Sequence, residues 1–265
     1  MCRLFGYVAP EPASLIDVLG KSDFEDFTAL TSIHSDGWGM AWHDDQGALR
    51  HVTSTTCAQH DQGYRELAEQ PLGRAGIVHL RWATPGIPRS PTNTHPFVDG
   101  DLAMAHNGNI TPIDEIEELL DPASRRALQG DTDSERYFRY LAQTIRERDD
   151  ELGAVSDAVA TLAARFPTAS LNALLLTGAH LFAIHVNCHA TPPPALKGLG
   201  IAGERLRHTD DQYFGMDFRR RDGQTQIVSS GIDPHGWSDI PVDSVGVLDL
   251  ATNELTWSKA TLGPP

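Results

Sequence analysis

The sequence is poor in what would build a disulfide scaffold, a metal centre or a membrane span. It has three cysteines in 265 residues, Cys2, Cys57 and Cys188. An odd, scattered set gives no disulfide framework and suits a reducing compartment, so a cytoplasmic location is expected. With 12 histidines there is still no His-Glu-x-x-His and no Cys-x-x-Cys, so nothing supports a metal hydrolase. Basic residues are few, 21 Lys and Arg against 36 Asp and Glu, a formal net charge of -15. That argues against a nucleic-acid partner, which needs clustered basic side chains. The one basic run, Arg219-Arg220-Arg221, meets Asp222 at once and reads as a solvated strand end. No apolar run approaches the roughly 20 residues of a membrane helix. Residues 4–9 are too short for a signal-peptide core. Internal repeats and a convincing interdomain linker are lacking too, so residues 1–265 are expected to form a single domain.

What is present is ordinary globular material, 40% hydrophobic and 22% charged. A chain this long buries roughly 75% of its unfolded surface and needs no metal or disulfide to hold it. Strands are predicted at 4–9, 39–43, 48–54, 76–82, 101–106, 171–176, 180–186, 213–221, 224–230, 244–250 and 255–258. Asp222-Gly223 marks a hairpin. Helices are predicted at 13–19, 63–69, 112–120 with Thr111 as N-cap, 133–148 and 152–166. The mixed order of strands and helices argues for an α+β fold of packed layers.

Four stretches could carry chemistry. Cys2 joins a thiol to a free α-amine once Met1 is removed, with reference pKa values of about 8.5 and about 7.7–8.0, so the neutral amine can accept the thiol proton. Taken alone, it is a small residue opening a strand. Arg81, at the end of a strand, offers a planar fork for a carboxylate; alone it is a surface ion pair. Asn107 and the Gly108 N–H could face a developing oxyanion, although Asn-Gly is also a common tight turn. Asp133 could bind an ammonium group, although an acid at a helix start is also favoured by capping and the dipole. Its neighbourhood lacks the spacing of an EF-hand. Together the four suit a zwitterionic amino acid with a reactive carbonyl at the far end of its side chain, as in a γ-glutamyl amide.

Six segments occur in an order that resembles the class II glutamine amidotransferases, a branch of the N-terminal nucleophile (Ntn) hydrolases. They are Met1-Cys2, Ser35-Asp36-Gly37-Trp38-Gly39, His79-Leu80-Arg81-Trp82-Ala83-Thr84, Asn93-Thr94-His95-Pro96-Phe97, His106-Asn107-Gly108 and Thr132-Asp133-Ser134-Glu135. The resemblance implies a four-layer αββα sandwich of two mainly antiparallel sheets. It implies Cys2 as nucleophile and its α-amine as base, with Asn107 and Gly108 as oxyanion hole. Arg81 would take the substrate α-carboxylate and Asp133 its α-ammonium, with Thr84 and His95 in support and the Asp36–Gly39 loop in the pocket wall. No cofactor or metal is implied.

Large members of the family carry a synthase or isomerase domain after this half. Here the remaining strands read as completing the sandwich. Gly236-Trp237-Ser238-Asp239-Ile240-Pro241 points to a stand-alone subgroup resembling the γ-glutamyl hydrolase of ergothioneine biosynthesis. The expected activity is cleavage of glutamine or a γ-glutamyl conjugate through a thioester on Cys2. Two alternatives stay open: a glutaminase subunit passing ammonia to a separate synthase, and a non-catalytic amino-acid-binding module. Homo-oligomerisation and the identity of the leaving amine are open as well, the latter assigned to loops 85–96 and 187–212.

Overall fold

The computed structural model describes residues 2–187, 189–198 and 213–260. Cys188 and most of the 187–212 loop therefore lie outside the described residues. In chain order the elements begin with strand β1 (Arg3–Ala13), helices α1 (Leu15–Leu19) and α2 (Lys21–Ala29), strands β2 (Trp38–His43) and β3 (Leu49–Ser54), helix α3 (Gln62–Glu69) and strand β4 (Gly73–Leu80). Strands β5 (Phe97–Asp99) and β6 (Leu102–His106) follow, then helices α4 (Ile113–Glu117), α5 (Pro122–Arg126), α6 (Asp133–Arg146) and α7 (Glu151–Arg165). Strands β7 (Ala173–Leu176), β8 (His180–His185), β9 (Met216–Arg221), β10 (Gln224–Ser229), β11 (Ser238–Asp239), β12 (Ser244–Asp249) and β13 (Leu255–Lys259) come last.

Two antiparallel sheets result. One runs β11-β9-β10-β1-β4-β2-β3 and the other β13-β12-β8-β7-β6-β5. Side chains alternate across each strand, and that alternation builds the layers. Leu4 and Val8 of β1 face the second sheet, where Leu174, Leu176, Leu181 and Ala183 meet them. Phe5 and Tyr7 face the other way, onto Leu15, Val18 and Phe27 of the first helical layer. On the second sheet Met104, Leu175, Phe182 and Ile184 face outward onto Phe138, Leu141, Val155 and Leu162 of α6 and α7. The sequence of layers is helix, sheet, sheet, helix, as expected. The contact between sheets is rich in small residues: Ala41, Ala75, Ala103, Ala105 and Ala183. Gly6 belongs to the same economy, since a Cβ there would stand 2.9 Å from Leu174 Cδ1.

Several local expectations are corrected. The 112–120 helix starts later, because Pro112 is itself the extended N-cap and makes no side-chain cap; Thr111 caps nothing. Helices α2 and α5 and the short strand β5 were not foreseen; α5 and β5 have only five and three residues, too few for a periodic pattern. Strand β1 continues through Pro10 to Ala13, with a register break between Val8 and Ala13. The basic run is only partly solvated: Arg219 pairs with Asp23 at 2.8 Å and lies 4.2 Å over the Trp237 ring. The Asp222-Gly223 turn is as expected, both residues having positive φ (53° and 75°), which the tight hairpin requires. The 236–241 stretch supplies β11, which pairs with β9 at the edge of the first sheet.

Candidate active site

Cys2 immediately precedes β1, which lies between β10 and β4 near the middle of the first sheet. Its end is pinned by Leu4 N–H donating to Ser229 Oγ at 2.9 Å and by Arg3 Nη1 donating to the Cys2 carbonyl at 2.8 Å. The thiol is buried, 7% exposed, and lies 3.8 Å from the Trp82 carbonyl. Burial pushes the thiol pKa up, while Arg81 and Arg3 work against that rise.

The thiol opens on a small, partly open cleft. Cys2, Arg81, Thr84, His95, Gly108 and Asp133 all line it. Six of the seven residues singled out in the sequence thus line one cavity. The seventh, Asn107, is fully buried beside it and does not line it. Its backbone is held by Asn172 at 2.7 Å, while its side-chain Nδ2 and Oδ1 have no protein partner. A buried amide left without partners costs about 1–3 kcal/mol.

Each charged member has its own support. Arg81 follows β4; its Nη2 donates to Pro88 O at 3.2 Å and its Nη1 has no partner. Burial draws its pKa below the usual guanidinium value. Asp133 is the first residue of α6. Thr132, not Asp133, caps that helix, accepting from Glu135 N at 3.1 Å. The capping explanation for Asp133 therefore fails. Its Oδ2 instead accepts from Ile110 N at 2.6 Å, tying the Asn107-Gly108 loop to the helix. Gly108 sits where any Cβ would collide with the Ser170 carbonyl and the His106 ring.

The Asp36–Gly39 loop is corrected from pocket wall to brace. None of its residues lines the cavity. Asp36 Oδ2 accepts from Ala83 N at 2.8 Å and Oδ1 meets Arg89 at 2.5 Å, holding the 81–89 segment in place. Trp38 points to the helical layer and donates to Asp61 at 2.9 Å. A side chain at Gly39 would strike the His95 carbonyl, so this glycine sets how closely the His95 loop docks.

Sequence reasoning assigned no role to His79 or His106. His79 Nε2 and His95 Nδ1 are 2.7 Å apart and both rings are buried. Burial holds both pKa values well below the ordinary histidine value. His106 lines the cavity, with Nδ1 2.9 Å from Ser134 Oγ and Nε2 2.8 Å from Ser170 O. Burial lowers its pKa too, against the pull of Asp133. The only signal for either was their place beside named residues in the matched segments. Among the described residues, Cys2, His79 and His95 form the group whose donor atoms could surround a cation.

Residues 1–191 match the sequence profile of the family described as glutamine amidotransferases class-II. The glutamine–fructose-6-phosphate aminotransferase [isomerizing] of Haemophilus influenzae is 31% identical over 225 residues, 83% of this chain and 33% of that protein. That of Agrobacterium fabrum is 32% identical over 151 residues, 56% of this chain and 22% of its own length. The chain thus spans a third or less of these relatives. A glutamine aminotransferase class-II domain protein from Silicibacter pomeroyi superposes with a TM-score of 0.65 at 17% identity, covering 99% of this chain and 100% of that one. The glutamine phosphoribosylpyrophosphate amidotransferase of B. subtilis gives 0.65 at 14% identity, covering 99% of this chain and 50% of that one. These likenesses identify the layered sandwich as the Ntn-hydrolase fold. With its profile match over residues 1–191, the chain belongs to the class II glutamine amidotransferase family.

Proposed function

We propose that the protein hydrolyses γ-glutamyl amides, with Cys2 as nucleophile once Met1 has been removed. The observation that carries this reading is the cavity itself, whose lining brings together a thiol, Arg81 and Asp133, the last two of opposite charge. Such a lining suits a free amino acid held by its α-carboxylate and α-ammonium. The Cys2 α-amine takes the thiol proton as sulfur attacks the side-chain carbonyl carbon. The carbonyl π pair moves to oxygen, and the oxyanion is received by the Asn107 Nδ2–H and the Gly108 N–H. Collapse breaks the C–N bond, and the α-ammonium returns its proton to the leaving amine. The same amine then deprotonates a water that attacks the γ-glutamyl thioester. Glutamate leaves and the thiol is restored. Thr84 and His95 support the substrate, and no cofactor takes part.

The experiment is a panel of γ-glutamyl amides, glutamine included, given to protein whose mass shows Met1 removed, with Cys2→Ala as control. Full activity in Cys2→Ala would overturn the mechanism. Turnover of larger γ-glutamyl amides with poor use of glutamine would place the chain in the stand-alone hydrolase subgroup. One observation favours a second reading: the relatives are named as aminotransferases, and the chain matches a third or less of their length. In that reading the domain releases ammonia to a synthase. Glutaminase activity that rises only on adding such a partner would establish it.

A further inference from the structure

His79 takes no part in the proposed reaction, yet it is buried against its centre. Donor atoms of Cys2, His79 and His95 all lie within 4.8 Å of one another, and all three side chains are buried. His79 Nε2 and His95 Nδ1 face each other at 2.7 Å, a hydrogen bond that a cation shared by both rings would displace, and His95 Nε2 has no protein partner. One sulfur with two imidazoles is the donor set that zinc and similar thiophilic divalent cations prefer. Zinc bonds of about 2.3 Å to sulfur and about 2.0–2.1 Å to nitrogen put tetrahedral donors about 3.3–3.6 Å apart. Reaching that geometry requires the two buried rings to turn out of their mutual hydrogen bond. Once Met1 is gone, the Cys2 α-amine adds a fourth donor, since sulfur, Cβ, Cα, nitrogen and metal close a five-membered chelate ring.

We propose that Cys2, His79 and His95 form a binding site for a thiophilic divalent cation, which caps the nucleophile and holds the protein reversibly inactive. Binding exchanges the thiol proton for a metal–sulfur bond and releases the proton to solvent; no electron is transferred. The bound cation also occupies the α-amine that would act as base, so attack and proton transfer are blocked together. His79 is then the residue that separates this site from a bare N-terminal cysteine chelate. The inhibitory consequence rests on the proposed role of Cys2, whereas binding does not.

The test is a titration of the metal-stripped protein, Met1 removed, with Co²⁺ alone and with Zn²⁺ alone. One equivalent of Co²⁺ is expected to give a thiolate-to-cobalt charge-transfer band in the near ultraviolet and tetrahedral visible bands. Cys2→Ser should lose the charge-transfer band, and His79→Gln should weaken binding at least tenfold. Zn²⁺ should shift the ¹⁵N resonances of both the His79 and His95 rings in the wild type, a readout that needs no variant to fold. A chelator should reverse the loss of turnover. Absence of the charge-transfer band, unmoved His79 and His95 resonances, or unchanged affinity in folded His79→Gln would overturn the proposal. A protein inactive on every γ-glutamyl amide that still shows these optical and ¹⁵N changes would sink the hydrolase reading and keep the metal site.

Discussion

Acidification from pH 7.5 to 5.0 should strip stability from this protein through its buried histidines, before its carboxylates matter. His79 and His95 are 0% and 4% exposed, and burial lowers both pKa values well below the ordinary histidine value, with Arg81 and His106 adding to the effect. In the unfolded chain both titrate near pH 6.5. The unfolded state therefore binds more protons than the folded one below that pH, so stability is intact above about 6.5 and falls as pH falls through it. For a ring that stays neutral when folded, RT ln(1 + 10^1.5) at pH 5.0 is about 2 kcal/mol, or about 4 kcal/mol for the pair. That is the ceiling for these two rings; His43, His106 and His185 are shifted in the same direction and add to the loss, while Asp26, held above the usual carboxylate value by burial, opposes it. Carboxylates held low when folded, such as Asp61, contribute mainly below about pH 5 because unfolded Asp titrates near 3.9. A loss of about 4 kcal/mol is large against a typical total of about 5–15 kcal/mol. Urea denaturation at constant ionic strength across this range measures it. A change of less than about 1 kcal/mol between pH 7.5 and 5.0 would refute the claim that these rings are buried neutral. A folded His95→Asn variant should remove about 2 kcal/mol of the pH dependence.

Three further outcomes follow from the geometry. Gly39→Ala places a Cβ against the His95 carbonyl; overpacking of this kind costs about 1–3 kcal/mol, and thermal melts with a turnover assay should show lower stability and lost activity together. Asp133→Asn keeps an acceptor for Ile110 N but removes the charge; loss of a charge-assisted hydrogen bond worth about 1.5–3 kcal/mol should lower kcat/KM roughly ten- to hundredfold, and unchanged steady-state kinetics would remove Asp133 from ammonium binding. Leu162→Ala, at a fully buried position of α7 far along the chain from the cavity segments, should cost about 2–5 kcal/mol by denaturation while leaving KM unchanged.

Much of the architecture was legible because it rests on periodicity. The stripes Tyr137, Phe138, Leu141, Ile145 and Val155, Val159, Leu162, Phe166 are the faces that α6 and α7 bury on the second sheet. The continuous apolar run of β1 and the Asp222-Gly223 turn work over a few residues and read equally well. Helix α2 has a weaker pattern, with only Phe24, Phe27 and Thr28 buried in nine residues. The N-cap at Pro112 depended on backbone angles that the Thr-Pro pair alone leaves open.

The site divides along the same line. By itself the sequence determined the reactive kinds: a cysteine that can become N-terminal, an arginine, an Asn-Gly pair and an acid at a helix start. Chemistry that belongs to one residue, or to neighbours in sequence, is written in the residue types. Only the tertiary structure brought Cys2, Arg81, Gly108 and Asp133 to one cavity. It also turned the Asp36–Gly39 loop into a brace and set His79 against His95 beside the thiol. Those relations span 16 to 131 positions of chain, and their distances come from how two sheets stack and how closely glycines let loops approach. No local pattern encodes that spacing; packing does.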